Sequence, residues 1–121
     1  MKLAIVGSRS FINYDAFEKK ILKKYPLETI ECIISGGAIG TDTLAEQFAK
    51  KYNIPTIIYK PDWNKYKMGS FAIRNQKIVD TCDKLIAFWD YESKGTEMTI
   101  KMAKIKKIKP CIVRIPSSMS N

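Results

Sequence analysis

Ser35-Gly36-Gly37-Ala38-Ile39-Gly40-Thr41-Asp42 joins an apolar run, Glu31 to Ile34, to a segment with helical periodicity, Thr41 to Tyr52. In that segment Leu44, Ala45, Phe48, Ala49 and Tyr52 recur on one face. A strand that passes through a glycine-rich turn into a helix leaves backbone N–H groups unpaired at the helix start. Those donors and the helix dipole favour an anion there, most often a phosphate. Gly36, Gly37 and Gly40 let the main chain approach a ligand without a Cβ clash. Helix capping by Thr41 or Asp42 accounts for Asp42 alone and leaves the three glycines unexplained. The turn is not a dinucleotide fingerprint, because no G-x-G-x-x-G follows the first apolar run. Nor is it a P-loop, because the Gly-Lys-Ser/Thr ending is missing.

Working outward, apolar runs that read as buried parallel strands recur at Lys2–Val6, Cys32–Ser35, Thr56–Tyr59, Lys84–Phe88 and Cys111–Ile115. Helical spacing appears between them at Tyr14–Tyr25, Thr41–Tyr52, Ser70–Thr81 and Thr96–Lys107. The inward faces would carry Phe17, Ile21, Leu22 and Tyr25 in the first, and Phe71, Ile78 and Cys82 in the third. Ile100 and Ala103 mark the face of the last, with Met102 and Ile105 beside them. Strands alternating with helices predict an α/β fold with a parallel sheet covered on both sides. The domain is expected over residues 1–116, with a polar tail at 117–121. Such sheets bind ligands beyond the carboxyl ends of their strands. Four loops fall there: Gly7–Ser10, Ser35–Asp42, Pro61–Gly69 and Asp90–Thr96.

Composition narrows the chemistry. The 121 residues include no histidine, which excludes Ser-His-Asp and Cys-His catalysis and histidine-ligated zinc. No metal and no cofactor is expected. Cys32, Cys82 and Cys111 lie far apart and read as buried, reduced thiols. No apolar run approaches the ~20 residues of a membrane span. The chain enters a strand without a signal-peptide pattern, so a cytoplasmic protein without membrane contact is expected. The net charge of +9 raises nucleic acid as a partner, although the lysines spread over several helices as a solvated surface would have them. Arg9, Arg74 and Arg114 are the only arginines in a lysine-rich chain. A planar, forked guanidinium is not replaceable by lysine where it grips a phosphate.

Candidate ligand-binding residues follow from the four loops. Gly7, Ser8 and Arg9 offer a tight turn, a hydroxyl and a cation; an ordinary strand-to-helix connection would look the same. Ser35, Gly36, Gly37, Gly40 and Asp42 form the central turn. Trp63 and Tyr66 could stack on a base or plug the edge of the core. Arg74 and Asn75 follow on the next helix. Arg74 either reaches a phosphate or pairs at the surface with Asp80 or Asp90. Lys94, Gly95 and Thr96 repeat the anion-cradle pattern, and Glu97 would contact a ribose hydroxyl, act as a general base or serve only the helix N-terminus.

Taken in order, these motifs resemble the SLOG superfamily, most closely its YspA-like branch, over about Lys2 to Ile115. That group includes the DNA-processing protein DprA and the LOG phosphoribohydrolases. The resemblance implies a single Rossmann-like three-layer α/β/α domain with a five-stranded parallel sheet of order 3-2-1-4-5, often as a homodimer or higher homo-oligomer. It implies a nucleotide or nucleotide-derived ligand, such as ADP-ribose derivatives or cyclic nucleotide signals, sensed or sequestered in phage–host conflict. It also admits a LOG-like hydrolase of nucleoside 5′-monophosphates, with Glu97 and Arg74 as catalytic residues. The LOG run Pro-Gly-Gly-x-Gly-Thr is here Glu92-Ser93-Lys94-Gly95-Thr96, and Glu97 is the only acid just after it. Single-stranded DNA binding, as in DprA, is the third expectation.

Overall fold

The structure, a computed structural model, describes residues 1–117; the polar tail expected from 117 onward otherwise lies outside the described residues. Five strands form one parallel sheet: β1 (Lys2–Gly7), β2 (Cys32–Ser35), β3 (Thr56–Ile58), β4 (Lys84–Trp89) and β5 (Cys111–Arg114). Their order is β3-β2-β1-β4-β5. This is the 3-2-1-4-5 arrangement of a Rossmann-like fold. The registers align the carboxyl ends: Gly7 lies opposite Phe88, and Ser35 opposite Ile58.

Because side chains alternate across a strand, each buried strand feeds two cores. Leu3, Ile5, Ile33, Ile86 and Phe88 point to one face. There they meet α1 (Tyr14–Lys24) through Phe17 and Ile21, and α2 (Thr41–Lys51) through Leu44, Ala45 and Phe48. Ala4, Val6, Ile34, Leu85 and Ala87 point to the other face. That side is covered by α4 (Ser70–Thr81) through Ile78 and Val79, and by α5 (Lys94–Ile105) through Ile100 and Ala103. A short α3 (Trp63–Tyr66) and a 3-10 turn at Lys67–Gly69 precede α4.

Three details depart from expectation. Leu22 and Ile105 are exposed, because α1 and α5 each lie on the sheet along a narrow stripe. Phe71 is 38% exposed and lines a cavity instead of the core. The Pro61–Gly69 stretch, expected as a loop, contains α3 because the Asp62 carboxylate caps it, accepting from the Lys65 N–H at 3.1 Å. No helix among the described residues is long and apolar enough to cross a membrane.

Candidate functional site

The chain leaves β1 toward α1 on one face and β4 toward α5 on the other. That divergence opens a crevice at the carboxyl ends of β1 and β4, the switch point of the strand order. A cavity of about 600 Å³ occupies it. All four expected loop regions contribute. Gly7, Ser8, Arg9, Gly36, Asp42, Arg74, Asn75, Lys94, Gly95 and Thr96 line the cavity.

Ser8 is a structural tie as well as a wall. Its carbonyl accepts from the Thr41 N–H at 3.2 Å and the Thr41 hydroxyl at 2.9 Å, and its N–H donates to the Phe88 carbonyl at 2.9 Å. Its hydroxyl accepts from the Asp90 N–H at 3.3 Å. The start of α2 and the end of β4 are thereby locked to the end of β1. Asp90 in turn accepts from the N–H groups of Glu92 and Ser93 at 2.9 and 2.8 Å. Burial pushes its carboxyl up, but these backbone donors outweigh burial and hold it below its ordinary range. Asp90 therefore stays ionised and sets the turn that aims α5. No side chain caps α5; the Ser93 hydroxyl pairs with that of Thr96 at 3.0 Å. The first N–H groups of α5, at Lys94–Thr96, thus stand open beside the cavity.

Arg74 is the central cation. Its residue is only 9% exposed. Nη1 donates to the Gly36 carbonyl and Nε to the Asn75 side-chain oxygen, both at 2.7 Å. The guanidinium also lies 5.9 Å from the Phe71 ring centre. Neither Asp80 nor Asp90 pairs with it: Asp80 takes Lys106 at 2.7 Å. Burial lowers the Arg74 pKa while Asp42 opposes that shift, and an arginine keeps its charge regardless. Asp42 stands across Gly36 from it, outside ion-pair distance but near enough to be felt. Burial raises the Asp42 carboxyl above its ordinary range, against the Ala38 N–H that donates to it at 3.0 Å and the charge of Arg74. The Ser35 hydroxyl is buried and closes no well-formed hydrogen bond, though its proximity favours the ionised carboxyl.

Several expected residues lie elsewhere. Gly37 and Gly40 have positive φ, 69° and 74°, and do not line the cavity. A Cβ on Gly40 would collide with the backbone of Arg9, and one on Gly37 would sit 2.9 Å from an Ile58 methyl. A Cβ on Gly36 would collide with the Arg74 guanidinium. The three glycines therefore make room for the protein's own chain, not directly for a ligand. Gly95 is the opposite case: a Cβ there would meet nothing within 4 Å. Ser35 is beneath the rim. Trp63 is 49% exposed and packs on Phe71, 6.2 Å between ring centres. Tyr66 carries the Lys65 amine 5.1 Å from its ring centre. The Glu97 carboxylate reaches Lys101 at 3.7 Å, one turn along α5, and does not line the cavity.

Sequence reasoning missed an apolar wall of Met68, Phe71 and Met98. The cue was present: Met68 and Phe71 flank Gly69-Ser70 at a helix start, where a core residue would be poorly covered. Among the described residues no group of three His, Cys, Asp or Glu could hold a metal ion. The cysteines are free, and burial pushes the Cys82 thiol up to about 11, which leaves it inert at neutral pH.

Residues 1–66 match the sequence model of the YspA, cpYpsA-related SLOG family. No curated protein matches the chain. The fold is similar to the X-ray structure of DNA processing protein A (DprA) from Streptococcus pneumoniae, at TM-score 0.74 and 26% identity over 99% of this chain. It is also similar to DNA processing protein A from Helicobacter pylori, at TM-score 0.71 and 21% identity over the whole chain; that structure addresses the protein's single-stranded DNA binding mode. The chain spans 52% of the Streptococcus protein and 67% of the Helicobacter one.

Proposed function

Since this chain belongs to the YspA, cpYpsA-related SLOG family, we propose that its rim cavity binds a nucleotide or nucleotide-derived small molecule by a phosphate. The observation that carries this reading is Arg74: a residue nine-tenths buried, lining the cavity, with no carboxylate among the described residues at ion-pair distance. Asp42 offsets part of that charge from beyond ion-pair distance; a buried cation with no directly bonded anion is costly, and a phosphate would supply one. The open N–H groups at the start of α5 would bond the same anion, with Arg9 and Lys94 beside it. Met68, Phe71 and Met98 offer an apolar surface for the base. The volume of about 600 Å³ falls within the ~300–1,000 Å³ usual for small-molecule sites.

The placement of Glu97 against Lys101 supports binding over N-glycosidic hydrolysis. The carboxylates that line the cavity, Asp42 and Asp90, are both engaged by backbone N–H groups. A second reading, single-stranded DNA binding, is favoured by the net charge of +9 and by the fold shared with the Helicobacter protein. Calorimetric titration with AMP, ADP-ribose and cyclic ADP-ribose isomers tests the first reading. Micromolar binding by at least one is expected, and no binding up to millimolar concentration by any of them would overturn it. Fluorescence anisotropy with a labelled oligodeoxynucleotide tests the second, which requires affinity to fall steeply with salt.

A further inference from the structure

A second cavity of about 490 Å³ lies on the other side of the β1–α1 loop, between the start of α1 and the end of β5. Ser10 is exposed and lines both cavities, so the two share a wall at the β1–α1 loop. The second cavity has an apolar floor in Phe11 and Phe88, whose rings stack with centres 5.3 Å apart. Ile12 at its edge is 79% exposed. Lys19, Lys20 and Arg114 line it, and among the described residues no carboxylate does. The two lysines form no ion pair with any described carboxylate. Arg114 lies 4.9 Å from the Tyr91 ring centre, which leaves the two lysines as the cations open to a ligand. An apolar floor beside such lysines complements a ligand with a flat apolar body and a negative charge.

We infer that the two cavities form one extended site for a linear 5′-phosphorylated dinucleotide. One unit lies in the first cavity with its phosphate on Arg74. The linking phosphate crosses Ser10 beside Arg9, and the second unit lies over Phe11 and Ile12 within reach of Lys19 and Lys20. This rests on the nucleotide reading of the first cavity and adds the size of the ligand to it.

Calorimetry with AMP and with the 5′-phosphorylated dinucleotide pApA tests it, on the wild-type chain and on Lys19→Gln/Lys20→Gln. Both lysines are exposed helix positions remote from the core, and neither lines the first cavity. The dinucleotide is expected to bind about tenfold more tightly than AMP in the wild type. In the double variant that advantage is expected to fall to about twofold while AMP binding stays unchanged. A dinucleotide that binds no tighter than AMP would overturn the extended site and leave the first cavity's reading intact. So would an advantage that survives the double substitution. Failure of AMP and pApA to bind while ADP-ribose binds would overturn the extended site alone; failure of all three, together with the cyclic ADP-ribose isomers, would overturn both readings.

Discussion

The turns after β2 and β4 look alike as sequence and do different work. Both follow a strand, both contain glycine, and both open a helix. In the β2–α2 turn the space a Cβ would need is filled by the Arg74 guanidinium, the Ile58 side chain and the Arg9 backbone. In the β4–α5 turn the space in front of Gly95 is empty. The first turn is a socket that positions a cation; the second is a rim left open to a visitor. Glycine content alone does not separate a packing requirement from a ligand requirement, because both ask for a missing side chain.

Substitutions sharpen this contrast. Gly40→Ala carries the largest effect. It places a side chain at φ 74°, ψ −123° and against the Arg9 backbone. A stability loss of about 3 kcal/mol or more is expected, read by urea denaturation. Arg74→Gln follows. It removes the charge facing the cavity, so affinity for the best nucleotide should fall by about 2 kcal/mol, roughly 30-fold, by calorimetry. A variant that binds as well as the wild type would move the anion site away from the socket.

Gly95→Ala should act in the reverse sense to Gly40→Ala. Because nothing meets the added methyl, stability should hold or rise by about 0.5 kcal/mol. Nucleotide affinity should nevertheless drop roughly fivefold, since the methyl narrows the rim. Loss of stability with unchanged affinity would make the two turns equivalent after all.

The smallest effect concerns pH. Burial first, opposed by the Ala38 N–H and Arg74, raises the Asp42 pKa above its ordinary 3.8. Folded Asp42 thus holds its proton to higher pH than the unfolded chain does. Its contribution to stability is full below 3.8 and is lost as pH rises through the folded value. Asp42→Asn should remove that downward slope from a denaturation series across mildly acidic pH. Anion affinity in the wild type should rise as pH falls through the same window, because the cavity sheds a negative charge. A slope unchanged in the variant would assign it to another group.

Much of the fold was legible because it rests on local periodicity. The strand cores and the bounds of Ser70–Thr81 follow from apolar spacing, which the parallel sheet rewards on both faces. The start of α5 shifted from the expected Thr96 to Lys94, because Asp90 gathers the Glu92 and Ser93 N–H groups and sets where the helix can begin. Asp62 capping α3 was a local cue of the same kind. The four rim loops were also legible, since every parallel strand must deliver its following loop to one edge.

By itself the sequence determined the alternation of strand and helix, the shared rim, and the scarcity of arginine that marked Arg74. These are properties of neighbours along the chain or of composition. Only the tertiary structure decided that Gly36 yields its space to a residue 38 positions away. It alone decided that Glu97 turns to Lys101 and that Met68, Phe71 and Met98 form a wall. Those outcomes depend on which distant backbones approach one another, a distance that no spacing in the sequence encodes.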